Sequence, residues 1–573
     1  MAVARGDVPA DLVITNVSLV NVLTLTLDGP VDIGLHGNRI AYVVPTGTAP
    51  KGNAILDGSG LVATPGFLDG HVHNESSQCT PANFARIIVP LGTTTVFTDP
   101  HEIGNVLGVK GIEYMVKASE GLPLRYFITA SSCVPAVPEK ETAGAEFRTP
   151  QLDQILRLPR VVAVAEAMDY MGLINQTGNI TPIVELGHAF NVPIEGHAPL
   201  IMNLLLQAYL AAAGPRASDH ESSLAEEMIQ KVKAGMMIYA PASTFSDTSA
   251  AIVAALSAVT DHRLFGFCSD DILPHDLYAN GHLSRGMRAL IEKGVNPLLV
   301  YQMASWNVAQ HYGLHGLGAI APSYLADILL LDNLEQVGVK HVIVDGQIVV
   351  QDRKWVVEIN EPIAPLVTNT VRIPSGLTED SFRLHVSSNN DHAQVHGIDM
   401  TQIYTKLATL SVSVSNGVIE LGNKLSMAAI VPRHGQGTAP SLAVISGFPL
   451  EKGAIASTVS HDSHNLAVVG KTPEDMLVAV RHLEQIGGGL VAVIDGKVIA
   501  DVPLPIAGLM SPLPVPEIAA QLHAFEDTMP QLGLLPNMWF FVIALALPVL
   551  PEVRLTDLGL VNVASQEFIP LLA

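Results

Sequence analysis

His71 and His73 stand one residue apart at the end of an apolar run, in the stretch PGFLDGHVHNESS from Pro65 to Ser77. In an extended strand, residues two apart point to the same side, so both imidazoles project from one strand end. Two nitrogen donors held in this way can chelate one metal ion. The pair alone is equally compatible with two satisfied core histidines. Further along the chain, Glu166 in VVAVAEAMDY, His197 in IEGHAP, His220 in ASDHES and Asp270 in FCSDD each close another short run. Four imidazoles and two carboxylates are the donor inventory for two divalent ions bridged by a carboxylate and a hydroxide, an arrangement suited to hydrolysis. Chance supplies one or two such groups, and core packing does not explain six at run ends.

The elements that must position these groups lie between Thr64 and about Ala321. Short apolar runs recur there, each ending in polar residues, with helix-like segments such as MNLLLQAYLAAAG and SLAEEMIQKVKAG between them. Eight such strand-helix units predict a (β/α)8 TIM-like barrel, which carries its chemistry at the C-terminal ends of the strands. A doubly wound open sheet is the alternative. Before the barrel, residues 1–63 read as short strands, and a similar signal returns at 322–365, where Asp345-Gly346 suits a tight hairpin turn. These two pieces are expected to form one small β-sandwich domain split by the barrel insertion at 64–321. The text EPIAPLVTNTVRIPSG reads as a linker, and residues 366–573 as a C-terminal α+β domain. That last region has hairpins at Asn416-Gly417 and Asp495-Gly496 and a helix over PEDMLVAVRHLEQIGG, where apolar residues recur near every 3.6 positions before a Gly stop.

At 573 residues the chain is long enough for two or three domains, and its 48% apolar content allows a large core. A formal charge of −23, from 54 acids against 31 Lys and Arg, disfavours a nucleic-acid partner, whose phosphates need a basic face. The three cysteines Cys79, Cys133 and Cys268 are widely spaced and form no CxxC pair, which points to reduced thiols and a cytoplasmic protein. The N-terminal stretch has no long apolar run, so no secretory signal is expected. The apolar segment Met538 to Leu550 is interrupted by proline and shorter than the roughly 20 residues of a membrane span, so it reads as buried.

The pattern of two histidines on strand one, a bridging residue on strand four, histidines on strands five and six and an aspartate on strand eight resembles the amidohydrolase superfamily. More narrowly, PGFLDGHVHNESS, GTTTVFTDPHEIGNVLG, EGHAP, SDHESS, ASTVSHDSHNLAVVG and LPIAGLMS resemble the adenine deaminase family, over nearly the whole chain. The resemblance implies His71, His73, Glu166, His197, His220 and Asp270 as ligands of two divalent ions, Mn2+ or Fe2+. The donor types alone also admit Zn2+. Glu166 would bridge the ions where many superfamily members use a carboxylated lysine. The implied reaction is attack of a hydroxide held by the ions on C6 of adenine, releasing ammonia and hypoxanthine in purine salvage, with Asp270 taking up a proton. An acid should protonate a ring nitrogen; Glu102 and His101 in DPHEIG are candidates, with Asp99 positioning them. The resemblance also suggests that the loop SHDSHN, with His461, Asp462, His464 and Asn465, closes the purine pocket; a purely structural cluster is the alternative. Arg433 to Gly437, RHGQG, gives a weaker signal of the same kind. Glu75 at the rim either contacts substrate or orders a ligand, and Ser76 or Ser77 could cap the following segment.

The text departs from the family after strand seven. Ala240, Pro241 and Ala242 precede Ser243 where the family shows Arg-Glu-Gly-Ser. The metal ligands are untouched, but the substrate could then be an N6-substituted adenine or another amino-heterocycle. A cyclic-amide hydrolase of the same superfamily and a barrel acting only as a binding subunit are the other readings. The partner expected is a small purine base, with no nucleic acid and no membrane, and the chain is expected to form a homo-oligomer, a dimer.

Overall fold

The computed structural model describes residues 1–360, 367–386, 391–402 and 405–573. Eight strands run through the middle of the chain: β1 (Phe67–Val72), β2 (Thr93–Thr98), β3 (Arg125–Ser131), β4 (Val161–Ala167), β5 (Ile194–Gly196), β6 (Ser218–Asp219), β7 (Met237–Pro241) and β8 (Phe265–Cys268). β1 to β5 pair in order in one parallel sheet and β6 to β8 in another. Isolated parallel bridges, Ile194 with Ala217 and Val72 with Asp270, join the two sheets at both seams. The ring therefore runs in chain order, TIM-like, with helices such as Asn203–Ala213 and Ala225–Lys233 between the strands. Both faces of these strands are covered; every residue of β1 and β2 is buried, the threonines of β2 included.

Gly70 explains part of the Asp-Gly-His-Val-His sequence. A Cβ there would lie 2.3 Å from the Tyr239 ring, so only glycine lets that ring pass beneath the two histidines. Tyr312 donates its hydroxyl to the Gly70 carbonyl at 2.7 Å. Deeper in the barrel, Glu195 and His311 form a buried pair at 2.6 Å.

The two flanking pieces meet in one sheet. Strands from residues 10–65 and 328–355 share one nine-stranded sheet, joined where Val62–Pro65 runs antiparallel to Ile328–Asn333. Asp345 and Gly346 both have positive φ, 48° and 78°, which a two-residue turn in a right-twisted hairpin requires.

The C-terminal region carries a second nine-stranded sheet. Hairpins turn at Asn416-Gly417 and Asp495-Gly496, again with positive φ at both positions. The helix Pro473–Ile486 starts at a Thr472 cap and ends at Gly487 in the left-handed conformation. It buries Met476, Ala479, Val480 and Leu483 against Val468, Ala456 and Val491 of the sheet. The sheet's other side shares an apolar cluster with the barrel, in which Ile103, Val106, Met115 and Leu273 meet Leu490, Ala492, Leu509 and Leu522. Of the expected linker, residues 361–366 lie outside the described residues. From Val367 on it packs, Val367 beside that shared cluster and Val371 and Ile373 in the sheet's core. Trp539, Val542, Ile543 and Leu545 are buried, and among the described residues no single helix is long and apolar enough to cross a membrane.

Candidate active site

The barrel ring brings the six expected donors to one mouth. Glu166 is central, and its two oxygens face different histidines. Oε1 lies 3.3 Å from His71 Nε2 and 3.0 Å from His73 Nε2. Oε2 lies 3.0 Å from His197 Nδ1 and 3.3 Å from His220 Nε2. Asp270 Oδ1 completes the first group, 3.4 Å from His73 Nε2 and 4.0 Å from His71 Nε2. Asp270 holds φ +53°, left-handed backbone that aspartate tolerates at special positions.

This donor set fits divalent ions. The Nε2 atoms of His71 and His73 face each other at 3.1 Å, close to the roughly 3.3 Å between two nitrogens that share an ion at bonds of about 2.0 Å. His73 Nδ1 lies 3.1 Å from the Asp99 carbonyl, so the ring proton sits on Nδ1 and the Nε2 lone pair faces the centre. The electrostatics call for positive charge at this point. Burial lowers the imidazole of His220, but Glu166 and Asp270 outweigh it and push it up to about 10. Burial likewise opposes His197, which Glu221 and Glu166 push up to about 9. Burial raises the Glu166 carboxyl, and His220 and His71 with the histidine hydrogen bonds hold it well below the ordinary range. Bound cations meet the same demand and displace the protons.

Behind the first pair, Asp69 Oδ1 accepts from the Ser269 and His71 amides at 2.9 and 3.3 Å, and Oδ2 lies 3.1 Å from His282 Nε2. This ties the end of β1 to the end of β8. Behind the second pair sits Lys231, fully buried. It donates to the Ala198 carbonyl at 2.8 Å, Asp219 Oδ2 at 2.9 Å, Ser222 Oγ at 3.0 Å and Glu227 Oε1 at 2.6 Å. Asp219 in turn accepts from the Ala198 amide at 2.9 Å.

The other expected residues surround this centre. His101 lies between two carboxylates, with Nδ1 3.0 Å from Asp99 Oδ2 and Nε2 3.8 Å from Asp462 Oδ1. Ser131 holds Asp99 through Oδ1 at 2.5 Å. The C-terminal loop reaches the barrel here: His461 Nδ1 and His464 Nε2 lie 3.8 and 3.9 Å from the two oxygens of Glu102. Asn465 bonds backbone, accepting from the Arg433 amide and donating to the Thr142 carbonyl at 2.7 Å. Arg433 is itself buried and serves the loop, donating to the His464 carbonyl and, at 3.0 Å, to the Ala507 carbonyl. Glu75 accepts from the Ile103 amide at 3.2 Å, which fixes the turn that carries His101 and Glu102.

Ser76 Oγ lies 2.7 Å from Glu102 Oε1 and 2.5 Å from Asp271 Oδ1. A hydroxyl has one proton, so both contacts are hydrogen bonds only if one carboxyl is protonated. Burial pushes Glu102 up, with Asp271 adding to it and His461 opposing. Burial and Glu102 push Glu75 up to about 8. For His461, burial is outweighed by Asp462 and Glu102, which push it up to about 9.

Sequence reasoning missed Glu221, Asp271, Lys231 and Cys133. Glu221 Oε1 lies 3.8 Å from His197 Nδ1 and 3.7 Å from His220 Nε2. Glu221 and Asp271 directly follow ligand candidates in the same motifs, which was a usable signal. Lys231 had none, since it sits in a helix that reads as amphipathic. At strand seven, Ser243 Oγ donates to the Asp271 carbonyl at 2.8 Å.

Residues 62–349 match the amidohydrolase family and residues 402–567 the adenine deaminase C-terminal domain. The adenine deaminase of Moorella thermoacetica is 38% identical over 100% of this chain and 97% of its own length. Adenine deaminase 2 of Carboxydothermus hydrogenoformans is 38% identical over 99% of this chain and 98% of its own. Among solved structures, the β-aspartyl dipeptidase of Fervidobacterium islandicum AW-1 aligns with a TM-score of 0.47 at 18% identity, over 61% of this chain and 99% of that one. The likeness in sequence spans both matched regions from end to end, and the chain belongs to the adenine deaminase family of the amidohydrolases.

Proposed function

We propose that this protein hydrolyses adenine and water to hypoxanthine and ammonia, acting on a C–N bond of a cyclic amidine. The observation that carries this is the split of the Glu166 carboxylate, one oxygen toward His71 and His73 and the other toward His197 and His220. Two divalent ions held by these residues and Asp270, Mn2+ or Fe2+ with Zn2+ also suited to the donors, would supply an activated water and polarise the reacting carbon. Asp270 is kept anionic: burial raises its carboxyl, and His73, His220 and His71 outweigh that. We assign it to accept the proton that the attacking water would lose. Glu102 is the acid, because burial and the neighbouring Asp271 carboxylate favour its protonated form. His101 has both ring nitrogens facing carboxylates, and we assign it to positioning. His461, Asp462 and His464 bring the C-terminal loop over Glu102 and His101 and keep bulk water from them.

We take the domains as 1–63 with 322–365, a split sandwich, then the barrel 64–321 and the C-terminal domain 366–573. The three buried free thiols and the sparse charge support a cytoplasmic protein, a homodimer with no nucleic-acid partner.

The test is purified protein loaded with Mn2+ or Fe2+ and given adenine, with ammonia and hypoxanthine measured. Turnover of an N6-substituted adenine without adenine, or ring opening of a cyclic amide, would replace the substrate and keep the centre. Activity should fall as pH rises through the raised Glu102 pKa. Glu102→Gln should lose about 10²- to 10⁴-fold in kcat and that alkaline limb with it.

A further inference from the structure

His101, Cys133 and Asp462 form a second convergence of metal-binding side chains beside the six-donor centre. One donor atom from each lies within 4.8 Å of the others, and all three residues are buried. They come from distant parts of the chain: His101 opens the helix after β2, Cys133 follows β3, and Asp462 belongs to the C-terminal loop. The orientation of His101 is set from behind. Asp99 Oδ2 faces its Nδ1 at 3.0 Å and Ser131 fixes Asp99, which places the ring proton on Nδ1 and aims the Nε2 lone pair at Asp462 Oδ1, 3.8 Å away. A carboxylate behind the imidazole is how proteins orient a metal-binding histidine. Asp462 gives the second, independent sign: its Oδ2 is buried with no hydrogen-bond partner, at 2% exposure of the residue. A buried carboxylate oxygen without a donor is costly, and a cation satisfies it.

We propose that His101 Nε2, Cys133 Sγ and a carboxylate oxygen of Asp462 bind a third metal ion, of the zinc class, with a fourth position left for water. Thiolate with imidazole and carboxylate selects Zn2+, or Co2+ as its substitute, over Mn2+. Four-coordinate donors sit roughly 3.3–3.7 Å apart at zinc bond lengths, so 3.8 Å between His101 and Asp462 needs only a small side-chain adjustment. Cys133 releases its thiol proton to solvent on binding. The ion joins the barrel to the C-terminal domain at the edge of the candidate active site and holds the His461 to Asn465 loop in place.

The experiment is reconstitution of the metal-free full chain with Co2+, read by metal content and by the near-ultraviolet absorption of a thiolate-to-cobalt charge-transfer band. Wild type should take up three equivalents and show the band. Cys133→Ser should take up two equivalents and lack it. Two equivalents and no band in wild type would overturn the site, with His101 then serving as an imidazolium between Asp99 and Asp462. A band that persists in Cys133→Ser would also overturn it, because the thiolate would be another. If that variant does not fold, the wild-type stoichiometry and spectrum decide. The two thiolate-free equivalents report the Glu166 centre separately, so either reading can fail without the other.

Discussion

The two histidine pairs that face Glu166 are carried in different ways. His71 and His73 end β1, a six-residue strand hydrogen-bonded on both sides. Their backing is neutral or local: the Asp99 carbonyl on His73, and Asp69 across to the Ser269 amide and His282. His197 and His220 follow strands of three and two residues. There the ladder is too short to fix the loops, and a buried ion cluster takes its place. Lys231 and Asp219 clamp both backbone groups of Ala198, and Glu227 accepts from the amides of Leu200 at 2.6 Å and Ser223 at 3.4 Å. The difference teaches that one centre can rest on sheet register at one side and on buried charge at the other. The two sides should then fail differently.

Removing the shared element should erase the difference. Glu166→Ala is expected to lose metal on both sides and about 10³-fold or more in kcat/KM, the several kcal/mol that metal polarisation supplies. Metal content and steady-state kinetics check this. Lys231→Met leaves Asp219 and Glu227 buried without their cation. It should cost about 3–5 kcal/mol in urea unfolding and release the ion at His197 and His220 before the other. Asp69→Asn should act on the opposite side, weakening the ion at His71 and His73 by about 10- to 100-fold with a smaller stability loss, read by chelator competition. Retention of both ions at equal affinity in either variant would break the comparison.

The smallest effect is in acid. Burial raises the Asp219 carboxyl, but Lys231, Ser222 and His220 bring it down to about 2, below its ordinary 3.8. A depressed folded value means stability present above pH about 4 and lost as pH falls through about 2. Urea midpoints across that window should drop more steeply in wild type than in Lys231→Met.

The candidate ligands other than His220 were legible because each ends an apolar run, and a strand end is a fixed place in a barrel. The turns at Asp345-Gly346, Asn416-Gly417 and Asp495-Gly496 were legible because the residues themselves favour positive φ. Lys231 was not, because its burial comes from how the helix Ala225–Lys233 meets the loops after β5 and β6, and a helical charge pattern looks the same when solvated. The two-residue length of β6 was also invisible, since RASDHES carries no periodicity. The approach of SHDSHN to the barrel was suggested by family likeness. Its physical cause is the apolar cluster shared by the barrel's Ile103 and Leu273 with the C-terminal sheet.

The most direct test is anomalous diffraction from crystals of the Mn2+-loaded protein. The account predicts two manganese peaks flanking Glu166, one within bonding distance of Oε1 with His71 and His73, the other of Oε2 with His197 and His220. A single peak, or a pair that Glu166 does not bridge, would contradict it.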